Sequence, residues 1–115
     1  MTTPAISIGF FLLASLLGAL GQYLFKSGAD LAGSSIASYA LNPRLLSGTV
    51  VYVAVMVLFV AAFKKGGSLT VLYPIYATTF IWSAMIALLV YGTPTRAINI
   101  GGMAFLVLGM YLMGK

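Results

Sequence analysis

Leu45-Leu-Ser-Gly-Thr-Val-Val-Tyr-Val-Ala-Val-Met-Val-Leu-Phe-Val-Ala-Ala-Phe63 is a run of nineteen residues without a charge. It is apolar on every face, so no amphipathic helix or alternating strand explains it. A bilayer core about 30 Å thick needs about 20 helical residues to cross it. Backbone amides in lipid must be satisfied within the segment or within a closed barrel. A barrel strand would alternate polar and apolar residues, which this run does not do. The run reads as a membrane-spanning helix.

Working outward, Lys64-Lys65-Gly66-Gly67 follows it as a tight basic turn. A second apolar run, from about Ser68 to Tyr91, contains Pro74. The proline removes a backbone hydrogen bond and predicts a kink near one end of that span. Gly92-Thr93-Pro94-Thr95-Arg96 is a further tight turn, and a last span runs from about Ala97 to Gly114. In the other direction, residues 27–44 form a Ser-, Gly- and Ala-rich interlude. There Asn42-Pro43 is a helix start signal and the stretch Asp30 to Leu41 has room for a short interfacial helix. Before the interlude lies a first span, from Ala5 to about Phe25, ending at Lys26. No basic residue precedes it and no cleavage site follows, so it reads as a retained span rather than a signal peptide. The expected fold class is therefore all-α. It is a single transmembrane domain over 1–115 with four transmembrane helices (about 5–26, 45–63, 68–91 and 97–114), assembling as a dimer.

Composition agrees. Of the 115 residues, 62% are hydrophobic and 6% charged, so the chain cannot cover a soluble surface. There is no cysteine, no histidine and one carboxylate, Asp30. Zinc sites, catalytic triads and paired-carboxylate hydrolysis all need residues the chain lacks, so no enzyme activity, metal or cofactor is expected. The net charge of +5 comes from basic residues scattered along span ends, not from a nucleic-acid-binding patch. Lys64, Lys65 and Lys115 lie at one end of the bundle, and Lys26, Arg44 and Arg96 at the other. This near balance fits either a weakly oriented chain or dual topology with an antiparallel dimer.

Three sets of residues stand out. Ser15, Gly18, Gln22 and Lys26 make one small and polar stripe along span 1. Lipid penalises a glutamine there, so the stripe should face the bundle interior or a wet cavity. Lys26 alone also suits snorkelling at a helix end, and the stripe suits helix packing. In span 3, Tyr73, Tyr76, Thr79 and Ser83 give a second face with hydroxyls, whereas Trp82 and Tyr91 suit interface anchoring or packing. Tyr52, Met56, Phe59 and Phe63 of span 2 read as packing or lipid-facing surface. In span 4, Ala97 and Gly101, with Gly102 and Gly109, offer close backbone approach. Gly101, Gly102 and Gly109 are thus candidates for a dimer interface, or for packing against span 3.

The spans contain no carboxylate that could alternate between a proton and a cationic substrate. The near-membrane charge is positive and suits phosphate.

The layout resembles the small four-helix members of the drug/metabolite transporter superfamily. The segment Ser15-Leu-Leu-Gly-Ala-Leu-Gly-Gln-Tyr-Leu-Phe-Lys26 is similar to span 1 of the EamA-like flippase subunits that move undecaprenyl-phosphate-linked aminoarabinose, including Gly21-Gln22 and Lys26. Tyr73-Pro74 and Phe80-Ile81-Trp82 are similar to their span 3, and the Gly-rich stretch Gly101 to Gly109 to their span 4. Small multidrug resistance exporters share the layout more distantly, but their membrane glutamate would fall at Gly18. The chain also departs from these families at Thr93-Pro94, where a Glu-Pro is common. The resemblance implies a multi-pass protein of the cell inner membrane, paired with itself or a similar four-helix subunit, that translocates a polyprenyl-phosphate-linked sugar or similar anionic lipid. Gln22 and Lys26 would contact the phosphate, with Tyr73 and Tyr76, and with Ser15 and Gly18, along the path. A small-molecule exporter and a non-transporting subunit supporting a glycosyltransferase are the alternatives.

Overall fold

The computed structural model describes residues 3–115, and the Met1-Thr2 start of the retained-span reading lies outside the described residues. The described residues are helical without strands. Helix α1 spans Ala5–Leu31, α2 Ile36–Ala40, α3 Pro43–Lys65, α4 Leu69–Ile75, α5 Thr79–Tyr91 and α6 Ala97–Met113. A single 3-10 turn, Tyr76–Thr78, joins α4 to α5 two residues after Pro74, where the proline has removed a donor from the helix ladder.

Three segments are long and apolar enough to cross a membrane: Ala5–Leu31, Pro43–Lys65 and Leu69–Tyr91. Helix α6 is apolar but shorter, at 17 residues. The expected boundary of span 1 moves outward by about a turn and a half. The helix runs on through Lys26, Ser27 and Asp30, with the Ser27 hydroxyl satisfied by the Leu24 carbonyl at 3.2 Å. At about 1.5 Å per residue α1 is about 40 Å long, which exceeds the hydrocarbon core. The interlude then supplies only a five-residue helix, capped by Ser35.

Each later helix starts and stops on local chemistry. Asn42 caps α3 by accepting from the Arg44 amide at 2.9 Å, with Pro43 at the first helical position. Ser68 caps α4 through the Val71 amide. Gly92, at φ 67°, ends α5 in the left-handed region, and the Thr93 amide reaches back to the Ala87 carbonyl at 3.1 Å.

Packing centres on α1, which lies mainly against α3 and also touches α4, α5 and the 3-10 turn. Phe11, Ala62, Leu72 and Ile75 form the core, with Phe59 stacked on Phe11 at 4.7 Å between ring centroids. Glycines bring the helix backbones close. A Cβ at Gly48 would fall 3.3 Å from the Gly21 carbonyl oxygen, and Phe25 and Tyr52 stack over this contact at 5.2 Å. The α1–α3 seam is tied at both ends by one polar side chain. At one end, the Ser7 hydroxyl sits 2.9 Å from the Ala62 carbonyl and 2.8 Å from that of Gly66. At the other, the Asn42 amide nitrogen donates to the Gly28 carbonyl at 2.8 Å.

Helix α6 stands apart. It lies against α4 and the 3-10 turn, and none of its residues is buried. The molecule measures 49 × 37 × 18 Å. Its width of 37 Å is about twice its thickness of 18 Å, so the helices form a flattened array.

Candidate functional site

The polar stripe of α1 divides into two parts of different character. Its first half, Ser15 and Gly18, is buried. The Ser15 hydroxyl lies 2.6 Å from the Leu12 carbonyl and accepts from the Trp82 indole nitrogen at 3.1 Å. The Thr78 hydroxyl lies 2.7 Å from Ser15 Oγ and 2.9 Å from the Ile75 carbonyl, so its one proton has an acceptor on each side. One turn further along α1, the Tyr52 hydroxyl donates to the Gly18 carbonyl at 3.2 Å, and the Tyr76 ring lies directly over Gly18. The Thr79 hydroxyl is buried beside this group without a hydrogen-bond partner among the described residues. A serine, three aromatic rings and two threonines thus form a polar knot where α1, α3 and the kinked segment meet. The kink is what places it there. Leaving the helix ladder for one 3-10 turn brings Tyr76, Thr78 and Thr79 round to the α1 side.

The second half of the stripe, Gln22 and Lys26, is exposed on a flank and not in the interior, which is one of the two placements, interior or wet cavity, that its polarity predicts. Both residues line a groove of 130 Å³ between α1 and α5, together with Tyr23, Ser83, Ala87, Tyr91 and Thr93. The reason is the flatness of the array, since no helix closes over this side of α1. The Lys26 ammonium lies 5.1 Å from the centre of the Tyr91 ring and 3.8 Å from the Asp30 carboxylate. Both side chains of that pair are 60% exposed, so the pair contributes little to stability and leaves the ammonium reachable. A cation held over an aromatic face, beside an amide and a serine, can receive an oxyanion such as a phosphate.

The structure therefore brings Ser15, Gly18 and Tyr76 together, and separately Gln22 and Lys26. Seven residues separate Ser15 from Gln22, about 10 Å along the helix. Tyr73 belongs to neither group. It is exposed and packs at a tilt near Phe59 and Tyr76, with ring centroids 6.3 and 6.2 Å away. Thr78 is a site residue that sequence reasoning did not single out, and Tyr52 and Trp82 were read there without a polar role. Tyr52, read as packing or lipid-facing, and Trp82, read as interface anchor or packing, both pack on α1, and each donates a hydrogen bond to it. Only the contact across helices reveals this.

Gly101, Gly102 and Gly109 of α6 have no atom within 4 Å of where a Cβ would stand. They do not pack against α5, and the α6 face that carries them is open. Among the described residues no group of histidine, cysteine or carboxylate side chains could hold a metal. Compared with known proteins, the chain matches no family model, no curated protein and no solved structure.

Proposed function

We propose that the chain crosses the inner membrane four times and forms half of a dimeric translocator for an anionic lipid of the polyprenyl-phosphate class. The observation that carries this reading is Lys26, a reachable cation beside Gln22 in a groove on the flank of an apolar array. The groove is one-sided, and a second subunit laid over it would convert it into a pathway. The open glycine face of α6 supports such pairing, because small residues let helix backbones approach in lipid. Helix α6, at 17 residues, is at the lower end of what spans a bilayer.

A cation exporter coupled to protons fits less well. The only carboxylate, Asp30, lies in the last turn of α1, exposed and beside Lys26. Reconstitution of the chain into proteoliposomes with a fluorescent polyprenyl phosphate tests the reading. Movement of the lipid between leaflets, lost in Lys26→Ala and retained in Lys26→Arg, is the expected result. No movement with the chain alone or with a similar four-helix partner would sink it.

A further inference from the structure

Helices α5 and α6 are joined by only five residues, Gly92 to Arg96, yet they diverge. Between them lies a cleft of 580 Å³. Its lining is graded. Thr93, Thr95 and Asn99 stand toward the loop end, and Phe80, Gly102, Met103 and Leu106 line it further in. From Gly102 to Leu106 the apolar wall descends about 6 Å along α6. Gly102 recesses that wall, since nothing occupies the space where its side chain would be.

The cleft also continues into the Lys26 groove, because Ala87 and Thr93 line both. One face of α5 therefore carries the cation groove and the other an apolar slot, meeting at the same end of the molecule. We propose that the α5–α6 cleft holds the hydrocarbon chain of the anionic lipid whose phosphate sits at Lys26, with the lipid passing from one to the other across Thr93. This rests on the reading of Lys26 as the phosphate site. Transfer of a chain from bulk lipid into the cleft brings little hydrophobic gain, since lipid is as apolar as the cleft. What places the chain there is its covalent tie to a head group held one helix face away, which raises its local concentration.

The test uses the full chain in phosphatidylcholine proteoliposomes and two probes. The first is an alkyl phosphate carrying a diazirine along its chain, at low mole fraction. The second is ethyl phosphate, which has no chain to place. Photolysis of the first, followed by mass spectrometry, should label the cleft residues more than the rest of the lipid-facing surface. A diazirine phosphatidylcholine should label that surface evenly. Ethyl phosphate should shield Lys26 from amine acylation, and Lys26→Gln should abolish the cleft enrichment. Gly102→Phe, whose Cβ would stand in open space and whose ring would enter the slot, should abolish it too while leaving the shielding of Lys26 unchanged. If Lys26 is shielded but the alkyl phosphate labels the surface evenly, the cleft proposal falls and the phosphate site stands. If Lys26 is not shielded, the phosphate site itself falls and the proposal with it. Photo-cross-links from α6 to α6 of a second copy, with the cleft residues unlabelled, overturn the proposal in favour of a dimer seam.

Discussion

Tyr76 occupies the space that a side chain at Gly18 would need: a Cβ built on Gly18 collides with the tyrosine hydroxyl and lies 3.0 Å from the ring carbon that bears it. Any larger residue at 18 must therefore move a ring that is wedged between Phe59 and Tyr73, 5.1 and 6.2 Å away. Gly18→Ala is expected to destabilise the protein by about 1–3 kcal/mol, as overpacking does. Thermal unfolding in detergent measures it, and Tyr76→Phe in the same chain should recover part of the loss, because it removes the colliding oxygen.

Ser15→Ala removes the acceptor of the Trp82 indole and a neighbour of the Thr78 hydroxyl. Loss of this hydrogen bond is expected to cost about 1 kcal/mol. Trp82 is the one tryptophan of the chain, so its fluorescence reports the bond directly. The emission should shift to shorter wavelength in Ser15→Ala and stay near the wild-type position in Ser15→Thr.

Asn42 serves two helices at once, capping α3 through its side-chain oxygen and tying α1 through its nitrogen. Asn42→Asp keeps the cap and loses the tie, whereas Asn42→Ala loses both. The expected order of stability is wild type, then Asp, then Ala, with a total cost of about 1–3 kcal/mol. Equal unfolding temperatures for the two variants would show that the tie to Gly28 carries no weight.

Asp30→Asn releases Lys26 from its only carboxylate neighbour among the described residues. Binding of an alkyl phosphate should tighten, but by no more than about twofold, because an exposed pair one helical turn apart is worth about 0.5 kcal/mol. The gain should shrink as salt is added.

Gly101→Ile and Gly109→Ile place side chains into open space on α6, so the fold should tolerate them. Self-association in lipid, followed by energy transfer between labelled copies, should weaken in both if this face pairs. Unchanged transfer would remove α6 from the interface.

Hydropathy made most of the fold legible. The uncharged run from Leu45 to Phe63, the Lys64–Gly67 turn and the Gly92 stop all mark boundaries found within about a turn. The kink was legible from Pro74, though not its form, a single 3-10 turn over Tyr76–Thr78. The far end of α1 was not legible. Ser27 and Gly28 look like a loop, and only their contacts with Leu24, Asn42 and Leu45 keep them helical. The division of the α1 stripe was hidden for a similar reason. Spacing puts Ser15, Gly18, Gln22 and Lys26 on one face, but whether a face is covered depends on where α5 ends and how α6 departs. The donor roles of Tyr52 and Trp82 were hidden because their apolar bodies suit lipid as well as they suit a partner.

The two ties across the α1–α3 seam bear on how the protein is made. Ser7, Gly28, Asn42, Ala62 and Gly66 all precede the third long segment in the chain. Both ends of the hairpin can therefore close before the kinked segment and α6 leave the ribosome. During synthesis the nascent chain would hold a finished two-helix hairpin in the bilayer, with the Ser15 hydroxyl still waiting for Thr78 and Trp82 to arrive.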